Sequence, residues 1–173
     1  MGGALTDGER WRKNLRLPGY DYHQPGAYFV TICLLDRVPL LGEIVDGTMQ
    51  ESSAGQMVRA VWDAIPERYE SVAVDEFIVM PEHLHGIITL PGAGGPSSLS
   101  LPQVVQRFKS LTTTRYREAV SSSGWPPYRG SLWQRNYYEH VVRDEAELNR
   151  IRQYIRENPL RWTLEREHPE NLC

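Results

Sequence analysis

Two histidines one residue apart, His83-Leu84-His85, open a stretch that runs on as Gly86-Ile87-Ile88-Thr89-Leu90 and ends at Pro91-Gly92. The apolar, β-branched continuation predicts a strand. Side chains at i and i+2 point to one face of a strand. The two imidazoles therefore stand side by side, with Leu84 turned into the opposite layer. With backbones about 6–7 Å apart by the strand rise, they can converge on one metal ion. A half-exposed strand with two structural histidines accounts for the same triplet, so other residues must decide. Near the end of the chain stand Tyr154 and Asn158, i,i+4 neighbours on a helical pattern. An Asn158 amide oxygen suits a hard divalent ion beside two imidazoles. Tyr154 offers a hydroxyl within reach of whatever such a metal binds. Tyrosine is also a common sheet-facing residue, and asparagine before proline a common helix stop.

These side chains must be positioned by the elements around them. Ala27 to Leu35 is long, apolar and β-branched, which predicts a central strand, and His23 falls in the turn-rich segment before it. Leu41–Val45 and Thr48–Gln50 read as a hairpin about Asp46-Gly47. Ser53 to Tyr69 predicts a helix with Met57, Val58, Val61, Trp62 and Ile65 on one stripe, kinked or ended by Pro66. Val72–Met80 predicts a strand pairing antiparallel with the histidine strand, and residues 91–98 a Gly/Pro/Ser connector. Ser100 to Val120 predicts a second helix, and Leu132–Val142 a further strand. Asp144 with Glu147 is an N-cap signature for a last helix that begins near Glu145 and stops at Asn158-Pro159. Leu148, Ile151 and Ile155 of that helix face the sheet; Asn158 falls in the same sector, with Tyr154 at its edge. The order predicts an α+β fold: an antiparallel sheet with helices packed on it, ferredoxin-like or RNA-recognition-like, of the split βαβ plan.

A chain of 173 residues is expected to form one domain, with residues 1–17 as a flexible basic arm carrying Arg10, Arg12, Lys13 and Arg16. No segment approaches the roughly 18 apolar residues of a membrane span, and the first residues lack the pattern of a signal peptide. Cys33 and Cys173 make neither a disulfide framework nor a zinc site, so the expected location is a reducing cytoplasm. The net charge of −3 does not point to nucleic acid, but its distribution does. Residues 1–96 hold 7 Lys+Arg against 13 Asp+Glu, whereas residues 97–173 hold 12 against 9. In the second part, arginines alternate with Tyr116, Trp125, Tyr128, Trp133, Tyr137, Tyr138, Tyr154 and Trp162. That mixture suits a surface that holds phosphates and stacks unpaired bases. Solvated helix faces over core aromatics give the same composition.

Four motifs in order carry a resemblance. They are Met80-Pro81-Glu82-His83-Leu84-His85-Gly86-Ile87-Ile88, Arg107-Phe108-Lys109-Ser110, Trp133-Gln134-Arg135-Asn136-Tyr137-Tyr138-Glu139-His140, and Tyr154-Ile155-Arg156-Glu157-Asn158-Pro159. Together they resemble the single-tyrosine HUH transposases, most of all the REP-associated tyrosine transposases, over nearly the whole chain. Insertion-sequence relatives place Gln where Asn158 stands, whereas the REP-associated group uses Asn. Many members have Asn at the position of Glu82, and Glu also occurs. The resemblance implies a single HUH domain over residues 18–173, with Tyr154 as nucleophile and His83, His85 and Asn158 holding Mg²⁺ or Mn²⁺. The implied partner is single-stranded DNA with hairpin elements, bound by a monomer or homodimer, with no membrane.

The implied chemistry is coherent. A phosphodiester resists attack by an anion, and a divalent metal polarises a non-bridging oxygen and fixes the group for in-line displacement. A phenol with a solution pKa near ~10 must lose its proton in or before the transition state. Attack by Tyr154 leaves a 5′-phosphotyrosine and a free 3′-OH, one ester for another, so rejoining needs no ATP. Arg107, Lys109, Arg135 and Arg143 are the expected phosphate contacts. Glu139 and His140 either orient DNA or the site, or serve structure alone. Two other functions use the same residues. One is an RNA-recognition-like module that binds single-stranded nucleic acid without cleaving it; the other is an unrelated metal hydrolase built on His83 and His85. Tyr116, Tyr137 and Tyr138 are rival nucleophiles, but none has a ligand-type residue one helical turn away.

Overall fold

Four strands make one antiparallel sheet in a computed structural model that describes residues 19–92 and 98–167. They are β1 (Gly26–Cys33), β4 (Ala73–Val79), β5 (His83–Leu90) and β6 (Tyr138–Val141), in the spatial order β4-β5-β1-β6. A separate hairpin, β2 (Gly42–Val45) with β3 (Thr48–Glu51), follows β1. Its turn holds Asp46 at φ 50° and Gly47 at φ 71°, the left-handed pair that a two-residue hairpin turn demands. Helices α1 (Ser53–Asp63), α2 (Ile65–Arg68), α3 (Leu101–Ser123) and α4 (Glu145–Glu167) complete the chain. Leaving the hairpin and α2 aside, the order is βαββαβ with a further helix, which is the expected ferredoxin-like plan. The segment 1–17 read as an arm, most of the connector at 93–97 and Cys173 lie outside the described residues.

The sheet has two differently used faces. Tyr28, Val30 and Ile32 of β1, with Leu84 and Ile88 of β5, point into the main core beneath α1 and α3. There Trp62 of α1 lies stacked on Phe77, with ring centroids 4.5 Å apart. The flat approach depends on Gly86, because a Cβ at that position would come within 2.4 Å of the Trp62 ring. Phe29 and Ile87 point the other way, against Leu148, Ile151, Tyr154 and Ile155 of α4. The histidines belong to this second face, since Thr31 is paired with His85 and Cys33 with His83. Alternation along β5 thus carries out the expected split, Leu84 on one side and the imidazoles on the other.

Three boundaries differ from the sequence reading. The stripe over 53–69 breaks at Ala64, so the helix is two pieces, with Pro66 in the first turn of the second. The strand expected over 132–142 is only Tyr138–Val141. Leu132 and Trp133 are drawn into the main core, where the indole donates to Thr112 Oγ1 at 2.8 Å and Trp133 bridges Leu34. The third difference matters most for the site: α4 does not stop at Asn158-Pro159 but runs through Pro159 to Glu167. A proline inside a helix costs one hydrogen bond and a clash with the carbonyl one turn back, about 3 kcal/mol. The turns beyond it are held by contacts that local pattern does not reveal. Trp162 packs on the His83 ring at 5.6 Å; within the helix itself, Thr163 Oγ1 also donates to the Pro159 carbonyl at 3.2 Å.

Candidate active site

The site forms where α4 crosses the second face of the sheet. Asp144 caps the helix by accepting the Glu147 N–H at 2.7 Å, as its spacing predicts. Two ion pairs then tie α4 to β4: Arg152 to Asp75, with Nε 3.1 Å from Oδ2, and Arg156 to Glu76, with Nε 2.9 Å from Oε1. The Arg152 guanidinium holds the Asp75 carboxyl below the ordinary carboxylate range, although partial burial opposes it. These clamps, together with Ile151 and Ile155 in the apolar layer, fix the rotation of the helix.

That rotation places Tyr154 over the histidines. Its ring meets the His85 ring with centroids 5.5 Å apart and meets Phe29 edge-on at 6.0 Å. The Arg161 guanidinium lies 5.7 Å from the Tyr154 ring centroid. His83 and His85 are buried, with their Nε2 atoms 3.2 Å apart. Asn158, one turn past Tyr154, is 7% exposed. All of this lies within one chain.

The electrostatics keep both imidazoles neutral. Burial pushes His83 down to about 3, helped by Arg37. Burial also drives His85 far below its ordinary value, with the His83 and Arg37 charges adding to the effect. Thr31 Oγ1 lies 2.8 Å from His85 Nδ1. A proton on that Nδ1, donated to the threonine, leaves Nε2 with its lone pair toward His83 Nε2. His83 Nδ1 is buried without a hydrogen-bond partner.

These features fit a divalent ion. Two nitrogens, each about 2.1 Å from one octahedral ion at adjacent corners, stand about 3 Å apart, close to the spacing found. Among the described residues no group of three His, Cys, Asp or Glu side chains is placed to hold a metal. Asn158, buried one helical turn past Tyr154, carries an amide oxygen of the type that would complete such a set.

The other sequence-derived candidates are spread around the molecule. His140 shares the site face, paired with Phe29 across β1 and β6, and its Nε2 lies 2.9 Å from Glu147 Oε1. Glu139 points to the opposite face beside Val30, and both its carboxylate oxygens are buried without a partner. Arg107 is on α3, stacked 5.1 Å over the Tyr69 ring. Arg135 and Arg143 are exposed. Lys109 Nζ reaches three carbonyls, of Gln134 at 2.9 Å, Arg135 at 3.3 Å and Asn136 at 3.4 Å. Its three N–H donors are thereby directed at the backbone of the segment that carries Arg135. Among the rival tyrosines, Tyr116 sits in the main core with its hydroxyl on the Pro126 carbonyl, and Tyr137 is also buried there.

Sequence reasoning did not single out Thr31 or Phe29, and it counted Trp162 and Arg161 only within a general arginine-aromatic surface, not at this site. Alternation in β1 places Phe29 and Thr31 on one face, but only the register with β5 sets Thr31 beneath His85. Trp162 and Arg161 were hidden because Pro159 reads as a stop.

A ferredoxin-like sheet with paired histidines beneath a helical tyrosine is the arrangement of a single-tyrosine HUH transposase. The chain belongs to the IS200-like transposases: the family model described as "Transposase IS200 like" matches residues 48–158. It is 37% identical, over 87% of its length and 89% of the relative's, to an uncharacterised protein of Haemophilus influenzae. It is 27% identical to a second protein of that organism, named "Putative REP-associated tyrosine transposase", over 82% of this chain and 74% of the relative. The fold matches a solved REP-associated tyrosine transposase bound to a REP hairpin, with TM-score 0.54 and 22% identity, over 84% of this chain and 73% of that one. This chain is therefore a transposase, similar to the REP-associated tyrosine group as its motifs imply. No helix among the described residues is long and apolar enough to cross a membrane.

Proposed function

We propose that this transposase cleaves and rejoins single-stranded DNA near hairpins, through a 5′-phosphotyrosine on Tyr154 and with Mg²⁺ or Mn²⁺ bound by His83, His85 and Asn158. The observation that carries the reading is the packing of the Tyr154 ring on His85 within one chain. When bound, the ion supplies charge that polarises the scissile phosphate. The protein does the rest. His83 and His85 present neutral nitrogens because burial excludes their charged forms. Thr31 holds His85 in one orientation. Tyr154 Oη forms the bond to phosphorus as the P–O3′ bond breaks, and the phenolic proton ends on the departing 3′ oxygen. Rejoining reverses each of these changes.

Hairpin DNA as the partner is supported by the solved relative bound to a REP hairpin. Arg107, Arg135 and Arg143 are exposed and make no side-chain ion pair with another described residue, which suits phosphate contact. Lys109 contributes by anchoring the turn that presents Arg135. His140 lines a recess beside Tyr154, a position from which it can orient bound DNA. A binding module that stacks bases on an open sheet is disfavoured, because α4 covers one face and α1 and α3 cover the other.

The test is incubation with hairpin-tipped single-stranded oligonucleotides and Mn²⁺. Covalent adducts are read on a denaturing gel, and the modified tyrosine is mapped by mass spectrometry. An adduct on Tyr154 is expected. Turnover without an adduct, surviving Tyr154→Phe, would point instead to an unrelated metal hydrolase.

A further inference from the structure

A second recess adjoins Tyr154 on the side away from β5. It is a cavity of about 350 Å³ between β6 and α4, walled by Phe29, Tyr138, His140, Glu147, Arg150 and Tyr154. That volume is at the small end of the range for ligand pockets, about 300–1,000 Å³. In the sheet order β4-β5-β1-β6, the histidine pair stands on β5 and this recess opens over β1 and β6. Tyr154 forms the partition, meeting His85 on one side and lining the recess on the other.

The lining has three kinds of chemistry. Phe29 and Tyr138 pack edge-on, with centroids 6.2 Å apart; buried Phe29 forms the floor and half-buried Tyr138 supplies the aromatic wall. His140 is held in one tautomer. Glu147 accepts the Arg143 backbone N–H at 2.7 Å through one oxygen and His140 Nε2 at 2.9 Å through the other. The Arg143 N–H, and then His140, hold that carboxyl below its ordinary range. An ionised carboxylate only accepts hydrogen bonds, so Nε2 carries the hydrogen and Nδ1 is left to meet a ligand. The third element is Arg150. Arg152, Arg156 and Arg161 of the same helix are each paired with a carboxylate, of Asp75, Glu76 and Glu157. Arg150 is exposed and has no carboxylate partner among the described residues. Among the described side chains of this helix, three guanidiniums are spent on its own fold and a fourth stands at the mouth of the recess.

We infer that this recess is a subsite for the nucleotide flanking the scissile phosphate of single-stranded DNA. Its base lies against Phe29 and Tyr138, its edge is read by His140, and its phosphate is met by Arg150. The inference deepens the nuclease reading and rests on it. Aromatic surface and an unpaired guanidinium are the parts a single-stranded nucleotide needs, and a fixed imidazole adds discrimination between base edges. Because Tyr154 is a shared wall, a base seated here holds the adjoining phosphodiester next to the phenol.

The test uses the full chain and four labelled homopolymeric hexanucleotides, of dA, dC, dG and dT. Affinities are measured by fluorescence anisotropy over a salt series without metal, and Tm is recorded for every variant. Arg150→Gln is expected to weaken all four about equally and to lower the salt slope by about one. Tyr138→Leu is expected to weaken all four roughly ten-fold. His140→Ala is expected to level the differences between the four bases. An unchanged base order in His140→Ala overturns the subsite, whatever Arg150→Gln does. The same proteins are scored for adducts with hairpin-tipped oligonucleotides. Adducts with an unaltered base order sink the subsite and leave the nuclease standing. Base-selective, His140-dependent binding with no adduct from the unsubstituted chain sinks the nuclease and leaves the subsite.

Discussion

The ring of Tyr154 meets that of His85 at 65°, with centroids 5.5 Å apart, and both rings belong to one polypeptide. The proposed nucleophile and a proposed metal ligand thus meet without a second copy. The clamps of α4 onto β4 through Asp75–Arg152 and Glu76–Arg156 produce this meeting.

Assembly within one chain makes a complementation test decisive. Tyr154→Phe is expected to abolish the covalent adduct while leaving oligonucleotide affinity within about two-fold, since a hydroxyl at the surface of a ring contact contributes little to binding. His83→Ala is expected to lose the adduct as well. A mixture of the two variants should stay inactive; an adduct in the mixture would mean that the working site is shared between copies.

Thr31 should matter through His85 alone. Removing its hydroxyl with Thr31→Val frees the imidazole to change tautomer or orientation. Manganese affinity, read by calorimetry, is expected to fall about 10- to 100-fold, the usual cost of losing a partner that orients a metal-bound histidine. Thr31→Ser should restore it. Equal affinities in Thr31→Val and the unsubstituted chain would remove Thr31 from the site.

The Asp75–Arg152 pair carries a pH signature. Asp75 has its folded-state pKa lowered, by Arg152 first. Its contribution is present above the unfolded carboxylate value of 3.8 and disappears as pH falls through the lower folded value. Asp75→Asn is expected to cost about 1 kcal/mol near pH 7, for a partly exposed pair, and less at pH 3, below the unfolded value. Thermal melts of both proteins at the two pH values check this, and a cost that grew on acidification would contradict the assignment.

Gly86 is required by packing, not by the chemistry of its histidine neighbours. A methyl group there meets the Trp62 ring at 2.4 Å, so either α1 or the indole must shift. Gly86→Ala is expected to destabilise the fold by about 1–3 kcal/mol, the usual cost of overpacking, measurable by chemical denaturation. Gly86→Ala as stable as the unsubstituted chain would show that Trp62 moves freely.

Much of this architecture could be read in the chain itself. Alternation put His83 and His85 on one face, Asp144 marked the start of α4, and helical spacing set Tyr154 one turn before Asn158. Each follows from backbone geometry over a few residues, so local pattern suffices. Only the folded chain decided the rest. Thr31 reaches His85 because of the register between two strands far apart in sequence, and nothing local specifies a register. Trp162 reaches His83 because tertiary contacts outweigh the cost of Pro159 inside α4. Which arginines remain without a carboxylate depends on what stands opposite them: Asp75 and Glu76 lie on β4 and claim Arg152 and Arg156, leaving Arg150 exposed. Residue type and spacing named the proposed reacting groups, whereas long-range packing selected their partners.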